Sequence, residues 1–188
     1  MSESIPRVCD LIRREALKLL TDGSVAVDAT VGNGHDTLFL CEAVGERGRV
    51  YGFDIQPVAI ERTRERLREA GLAQRARLIL GSHERMADHI GAESADVILF
   101  NLGYLPNGDH TVITKGEITV AALKTAVNLL KTGGAVFVAI YWGHPGGREE
   151  KEAVEAFAAS LPSDRFDTAE ISFPNKNKAP LALIIQKK

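Results

Sequence analysis

Apolar positions along the chain change period repeatedly, and each change marks an element. Over residues 5–20, Val8, Leu11, Ile12, Ala16, Leu19 and Leu20 recur on one side of a helical period, which predicts an amphipathic helix. Val25-Ala-Val-Asp-Ala is a short apolar run that reads as a strand running into a glycine-bearing turn. Residues 36–44 return to the helical period and residues 49–54 read as a second strand. Pro57 suits a helix first turn and Gly71 a C-cap, which brackets a third helix between them. Strands follow at 77–80 and 96–100, a helix at 117–130, a strand at 135–141, and a helix at 149–161 stopped by Pro162. The last two strand-like runs, 166–173 and 181–186, are separated by PNKNKAP alone. A helical crossover does not fit that gap, so these two are expected to form an antiparallel hairpin. The expected fold is therefore α/β: a seven-stranded, mostly parallel sheet with an antiparallel C-terminal strand and helices on both faces.

Length and charge narrow the function classes. At 188 residues the chain is the size of one domain, expected to span 1–188. Lys plus Arg is 23 against 25 Asp plus Glu, a formal net charge of −2, which excludes a globally basic nucleic-acid binder but not a local basic patch. No apolar run approaches the ~20 residues of a membrane span. MSESIPRVCDLIRREALKLL alternates charge with aliphatics and lacks a signal-peptide core, so a cytoplasmic protein is expected. Cys9 and Cys41 are too few for a disulfide framework, and no pair of histidines has metal-ligand spacing, so no metal is expected.

The first turn holds the candidate chemistry. In VDATVGNGHDT, Gly32 and Gly34 are spaced as in G-x-G-x-x-G, with Thr37 at the third glycine position. That weakens a dinucleotide reading, which needs the third glycine for close helix–strand packing. Asp28 at the end of the first strand would repel a pyrophosphate and favour a ligand bearing an ammonium or sulfonium charge. Asp54 ends the second strand, where a carboxylate can accept both hydroxyls of a ribose. Acid, glycine turn and second acid in that order favour S-adenosyl-L-methionine over NAD. The expected cofactor residues are Asp28, Gly32, Asn33, Gly34, Asp36, Asp54, Gln56, Ser82 and His83. Asp28 or Asp36 as a plain helix cap, Gln56 as a loop amide with no role, and Ser82 as a helix start are the competing readings.

Asn101-Leu-Gly-Tyr-Leu-Pro106 follows the fourth strand, where many nucleic-acid amino-methyltransferases carry an Asn/Asp-Pro-Pro-Tyr segment. Asn101 and Tyr104 keep that spacing, while Leu102 and Gly103 replace the prolines. The side-chain oxygen is suited to hold an attacking amine and the aromatic ring to stack on a base; Tyr104 as core filler is the alternative. Asn107-Gly-Asp-His110 reads as a turn. His144, in a Gly/Pro turn, suits either a nucleotide contact or a structural role. Arg62, Arg64, Arg66 and Arg68 alternate with Glu61, Glu65 and Glu69, the pattern of a solvated, salt-bridged helix face rather than an RNA site.

VDATVGNGHDT, FNLGYLPNGDH, YWGHPGG and PNKNKAP together resemble the bacterial MnmM-like family of rRNA-methylase-labelled proteins, over nearly the whole chain. Trp142 departs from the smaller residue or proline more usual there. The resemblance implies a Rossmann-like class I methyltransferase, with S-adenosyl-L-methionine as donor and the anticodon region of tRNA as partner. The expected product is 5-methylaminomethyl-(2-thio)uridine at the wobble position, made from the 5-aminomethyl form. It also implies that Asp109 and His110 face the methyl acceptor beside Asn101 and Tyr104, and that Lys176 and Lys178 touch phosphate. Methylation of rRNA or of a small amine, an NAD-dependent oxidoreductase and a non-catalytic nucleotide-binding module are the other readings. A homodimer is a further expectation, since small enzymes commonly form twofold pairs.

Overall fold

The aliphatic run Val25–Asp28 becomes β1, and the sheet grows from it in both directions. A computed structural model describes residues 5–103 and 116–188. Its elements in chain order are α1 (Val8–Leu17), β1, α2 (His35–Ala43), β2 (Arg49–Asp54), α3 (Pro57–Glu69), β3 (Ala76–Leu80), β4 (Ala95–Leu102), α4 (Gly116–Leu129), β5 (Leu130–Ile140), α5 (Gly147–Ala159), β6 (Phe166–Ile171) and β7 (Leu181–Lys187). The seven strands form one sheet in the order β3-β2-β1-β4-β5-β7-β6. β1 to β5 pair in parallel, and β7 runs antiparallel to both β5 and β6. The predicted hairpin is present, with its second strand inserted beside β5 rather than left at the edge.

Strand alternation sorts the core onto two faces. Ile98, Phe100, Val136 and Val138 pack with Leu123, Ala126 and Val154 of α4 and α5. Val97, Leu99, Ala135 and Phe137 pack on the other face with Val8, Ile12, Leu40 and Leu67 of α1, α2 and α3. The crossover from β3 to β4 differs from the expected βα step, for it is a 3₁₀ segment, His83–Asp88. Arg85 departs from helical backbone angles within it, and Met86 and Ile90 are the buried anchors of the crossover. No helix among the described residues is long and apolar enough to cross a membrane.

The chain leaves β1 toward β2 and β3 on one side, and later toward β4 and β5 on the other. That reversal opens a crevice at the carboxyl ends of β1 and β4, the place where open α/β sheets bind ligands. Residues 141–147 leave the carboxyl end of β5, and the pairing of Ile140 with Leu181 brings residues 174–180 to the same edge.

Candidate functional site

The turn after β1 is tied down from three sides. Ala29 N–H donates to Leu99 O of β4 at 2.8 Å, and Val31 N–H to Phe53 O of β2 at 3.1 Å. Gly32 and Gly34 take positive φ values of 55° and 77°, which glycine adopts without strain. Gly34 is also the N-cap of α2, and a Cβ there would lie 2.5 Å from Thr63 Oγ1 on α3. Beneath the turn, Asp28 is fully buried. Its carboxylate accepts Thr37 Oγ1–H at 2.6 Å and Thr30 N–H at 3.2 Å. Burial, with the nearby Asp36 charge, pushes its pKa up to about 7 against the two hydrogen bonds, which act the other way. Asp28 thus shapes the turn and its field from below rather than offering oxygens at the surface. Thr37, at the third glycine position, supplies one of the donors that hold it.

Asp54 stands at the crevice mouth, partly exposed. Its Oδ2 accepts Gly32 N–H and its Oδ1 accepts Gln56 N–H, each at 2.9 Å. Each oxygen keeps a second lone pair, so the carboxylate can still receive two hydroxyls. Beside it are Ile55 and Leu80, both 57% exposed, with Leu80 in register with Asp54. Sequence reading passed over this pair. The available signal was an aliphatic residue immediately after a strand-end acid, and these two offer an apolar surface to a flat ring.

The remaining cofactor candidates separate. Ser82 caps the 3₁₀ segment, accepting Glu84 N–H at 3.3 Å and donating to Glu84 Oε2 at 3.1 Å. His83 lies under the turn, with Nδ1 3.0 Å from Ala29 O and its ring edge-on to Phe100 at 5.6 Å. A carbonyl only accepts, so Nδ1 carries the hydrogen and Nε2 is a buried acceptor with no partner among the described residues. Burial also lowers the His83 pKa. Asn33 turns to α3: its side-chain oxygen accepts Arg62 at 3.3 Å and its carbonyl accepts Arg66 at 3.0 Å. The arginine-rich helix is therefore not a purely solvated face. Arg64 pairs with Glu61 as the charge pattern predicts, but Arg62 and Arg66 brace the glycine turn.

On the other side of the crevice, Asp36 and Asn101 meet. Asn101 Nδ2 donates to Asp36 Oδ2 at 2.7 Å, and Asn101 N–H donates to Thr30 Oγ1 at 2.7 Å. Asp36 Oδ1 takes the Arg13 guanidinium from α1. One turn earlier on α1, Cys9 Sγ lies 2.8 Å from Tyr141 Oη and 3.8 Å from Asn101 Oδ1. Cys9, Arg13 and Tyr141 were not among the expected site residues. Tyr104, Asp109 and His110 lie outside the described residues. Gly103 has φ 145°, and a Cβ there would approach Tyr141 Cβ at 3.3 Å and His144 Nε2 at 3.7 Å, so His144 borders the same strand end. His144 Nδ1 sits 2.9 Å from Pro145 O.

Lys176 and Lys178 are on the loop between β6 and β7, at the same sheet edge. A groove of about 450 Å³ lies there, lined by Trp142, Phe173, Asn175, Lys176, Asn177 and Lys178 among others. Trp142 Nε1 donates to Ala179 O at 2.9 Å, so the residue that departs from the family pattern anchors this loop. Lys176 Nζ rests 5.0 Å from the Phe173 ring centroid. No group of three or more His, Cys, Asp or Glu able to hold a metal ion occurs among the described residues.

Comparison with known proteins gives a consistent set of relatives. A chloroplastic tRNA (mnm(5)s(2)U34)-methyltransferase of Arabidopsis thaliana is 39% identical over 181 residues, 91% of this chain. The chain spans 66% of that protein's length. Among solved structures, a "putative rRNA-methylase" from Clostridium thermocellum superposes with a TM-score of 0.96 at 40% identity, covering 99% of this chain and 100% of that one. A "putative methyltransferase" from Streptococcus mutans, solved in complex with SAH, gives a TM-score of 0.89 at 33% identity, covering 98% of this chain and 100% of that one. The profile of the family described as "Putative rRNA methylase" matches residues 50–187. The chain belongs to that family of class I methyltransferase-fold proteins.

Proposed function

We infer that the chain is an S-adenosyl-L-methionine-dependent tRNA methyltransferase that converts 5-aminomethyl-(2-thio)uridine at the wobble position to its 5-methylaminomethyl form. The observation that carries this reading is the placement of Asp54, the glycine turn over buried Asp28, and Asn101 around one crevice at the sheet's switch point. The residues suit such a cofactor. Asp54 has lone pairs left for two ribose hydroxyls, Ile55 and Leu80 give a purine an apolar face, and acidic groups border the turn where a cationic ligand end would lie. When bound, S-adenosyl-L-methionine supplies an electrophilic methyl group, whose transfer forms an N–C bond, breaks an S–C bond and releases one proton.

The chain's own residues meet the remaining needs. A primary alkyl amine, with a pKa of ~10, is mostly protonated at neutral pH and must lose a proton to attack. Asp109 and His110 are assigned as the groups that receive it, Asn101 as the acceptor of an amine N–H, and Tyr104 as the stacking ring. His144, Lys176 and Lys178 are assigned to the nucleotide and its phosphates, with the groove beside Trp142 along the RNA path. In this reading one domain over 1–188 acts in the bacterial cytoplasm, without a metal, and pairs as a homodimer; sedimentation at micromolar concentration tests the pairing.

Two measurements test the function. Calorimetry is expected to show binding of adenosylhomocysteine and none of NAD. Nucleoside mass spectrometry of tRNA from a deletion strain is expected to show 5-aminomethyl-2-thiouridine accumulating at the expense of its methylated form. Unchanged tRNA with a missing methyl group in rRNA would move the substrate to the ribosome, as the family's label suggests.

A further inference from the structure

Asp36, at the start of α2, has both carboxylate oxygens committed. Oδ1 takes Arg13 at 2.7 Å from Nε and 2.6 Å from Nη2, and Oδ2 takes the Asn101 side-chain amide at 2.7 Å. The Arg13 guanidinium also lies 5.9 Å from the Phe39 ring centroid, which limits its freedom. A carboxylate paired with a guanidinium only accepts, so the NH2 end of Asn101 must face it and the amide cannot turn over. The Asn101 main chain is fixed independently by Thr30. What remains is the side-chain oxygen, directed at the first turn of α1. There it meets the Cys9 thiol at 3.8 Å, and the same sulfur lies 2.8 Å from Tyr141 Oη, whose pKa burial raises. A thiol at that distance is a weak donor, so the oxygen retains capacity for a stronger one.

An attacking amine is such a donor. An oxygen that takes one N–H leaves the nitrogen lone pair pointing elsewhere, and the direction depends on which end of the amide is presented. We propose that Asp36, clamped by Arg13, is a positioning residue that holds the Asn101 amide with its oxygen toward the acceptor amine. α1, which carries none of the expected site residues, thereby becomes part of the acceptor side. Asp36 passes from the cofactor to the substrate half of the site. The proposal rests on the aminomethyl-uridine reading above.

Asp36→Asn offers Asn101 an NH2 group and lets the amide rotate. The expected result is a kcat for methyl transfer lower by about 10²-fold, with adenosylhomocysteine affinity held within about threefold. Asp36→Asn combined with Asn101→Asp restores a carboxylate–amide pair and an oxygen facing the acceptor. It is expected to recover most of the lost kcat, which a merely structural role would not allow. Arg13→Met, at a partly exposed position, carries the test should Asp36→Asn fold poorly. Its kcat is expected to fall about tenfold, with Arg13→Lys in between. The Asn101 side-chain amide resonance is expected to shift in Arg13→Met while distant backbone amides stay in place. Full kcat in both Asp36→Asn and Arg13→Met would overturn the proposal, as would loss of adenosylhomocysteine binding in step with kcat, or a double variant no better than the single one. A wild-type protein that methylates no aminomethyl-uridine would end the functional reading instead. The amide resonance would still decide the relay, because an unmoved Asn101 signal in Arg13→Met refutes it.

Discussion

Asp28 and Asp54, at the ends of the neighbouring strands β1 and β2, behave differently because their surroundings differ. Asp54 is partly exposed and accepts two main-chain N–H groups, so it is held rigidly at the crevice mouth. Asp54→Ala is expected to weaken adenosylhomocysteine binding by roughly 1.5–3 kcal/mol, through loss of charge-assisted bonds to ribose. Calorimetry checks this, and an unchanged affinity removes Asp54 from the site. Asp28 is fully buried, and its pKa is raised from 3.8 to about 7. Between those values the folded chain holds a proton that the unfolded chain has released. Stability contributed by this group is therefore present at low pH and lost as pH rises toward about 7. Asp28→Asn removes the titration. The wild-type melting temperature is expected to fall more than that of the variant between pH 5 and pH 8, conditions on either side of the raised value. Parallel melting curves across that window would show that Asp28 titrates normally.

At the scale of elements, the glycine turn depends on its neighbour helix. Gly34 combines a φ of 77° with a Cβ position 2.5 Å from Thr63 Oγ1, so both the backbone and the packing oppose a side chain. Gly34→Ala is expected to destabilise the fold by roughly 1–3 kcal/mol in denaturant unfolding, with the loss also felt in cofactor affinity. A neutral Gly34→Ala would mean that α3 can withdraw from the turn. Elements of this kind were legible in the sequence where the signal is local. β2 has the expected bounds, α3 opens at Pro57, and Asp28 and Asp54 stand out because each sits where a strand pattern ends. Tertiary partners were not legible. Cys9 meets Asn101 across 92 residues, and Arg13 reaches Asp36 from the polar side of α1, whose buried face is Val8, Ile12 and Ala16. Helical period marks that polar side as surface and carries no trace of what lies against it. The same limit applies to α3. Its Glu/Arg alternation implied a salt-bridged face, and Arg64 does pair with Glu61, yet Arg62 and Arg66 reach the glycine turn because α3 packs behind it. β5 begins earlier than its apolar run because residues 130–134 remain strand-like across a register shift, with Ala95 paired to Leu130 and Val97 to Ala135.

The whole molecule carries a formal charge of −2, so any attraction to RNA phosphate has to come from where the positive groups are placed. Topology puts one such place at the carboxyl edge of the sheet. β6 runs antiparallel to β7, and so in the direction of β5, which returns the chain to the edge that also holds Asp54 and Asn101. Lys176 and Lys178 are exposed on the loop that makes this return, next to the Trp142 groove. Arg13, Arg62, Arg64 and Arg66 are each engaged by acceptors of the protein itself, which gives the two loop lysines more weight as phosphate contacts. Each phosphate contact contributes roughly 0.7–0.9 to the slope of log affinity against log salt. Lys176→Ala with Lys178→Ala is therefore expected to lower the magnitude of that slope for tRNA by between about 1 and 2, while adenosylhomocysteine affinity stays constant. Fluorescence anisotropy with labelled tRNA across a salt series reads the slope directly. An unchanged slope would take the hairpin loop off the RNA path, and a weakened affinity at constant slope would mean that the loop contacts bases or shapes the groove through Trp142 and Phe173 instead of neutralising phosphate.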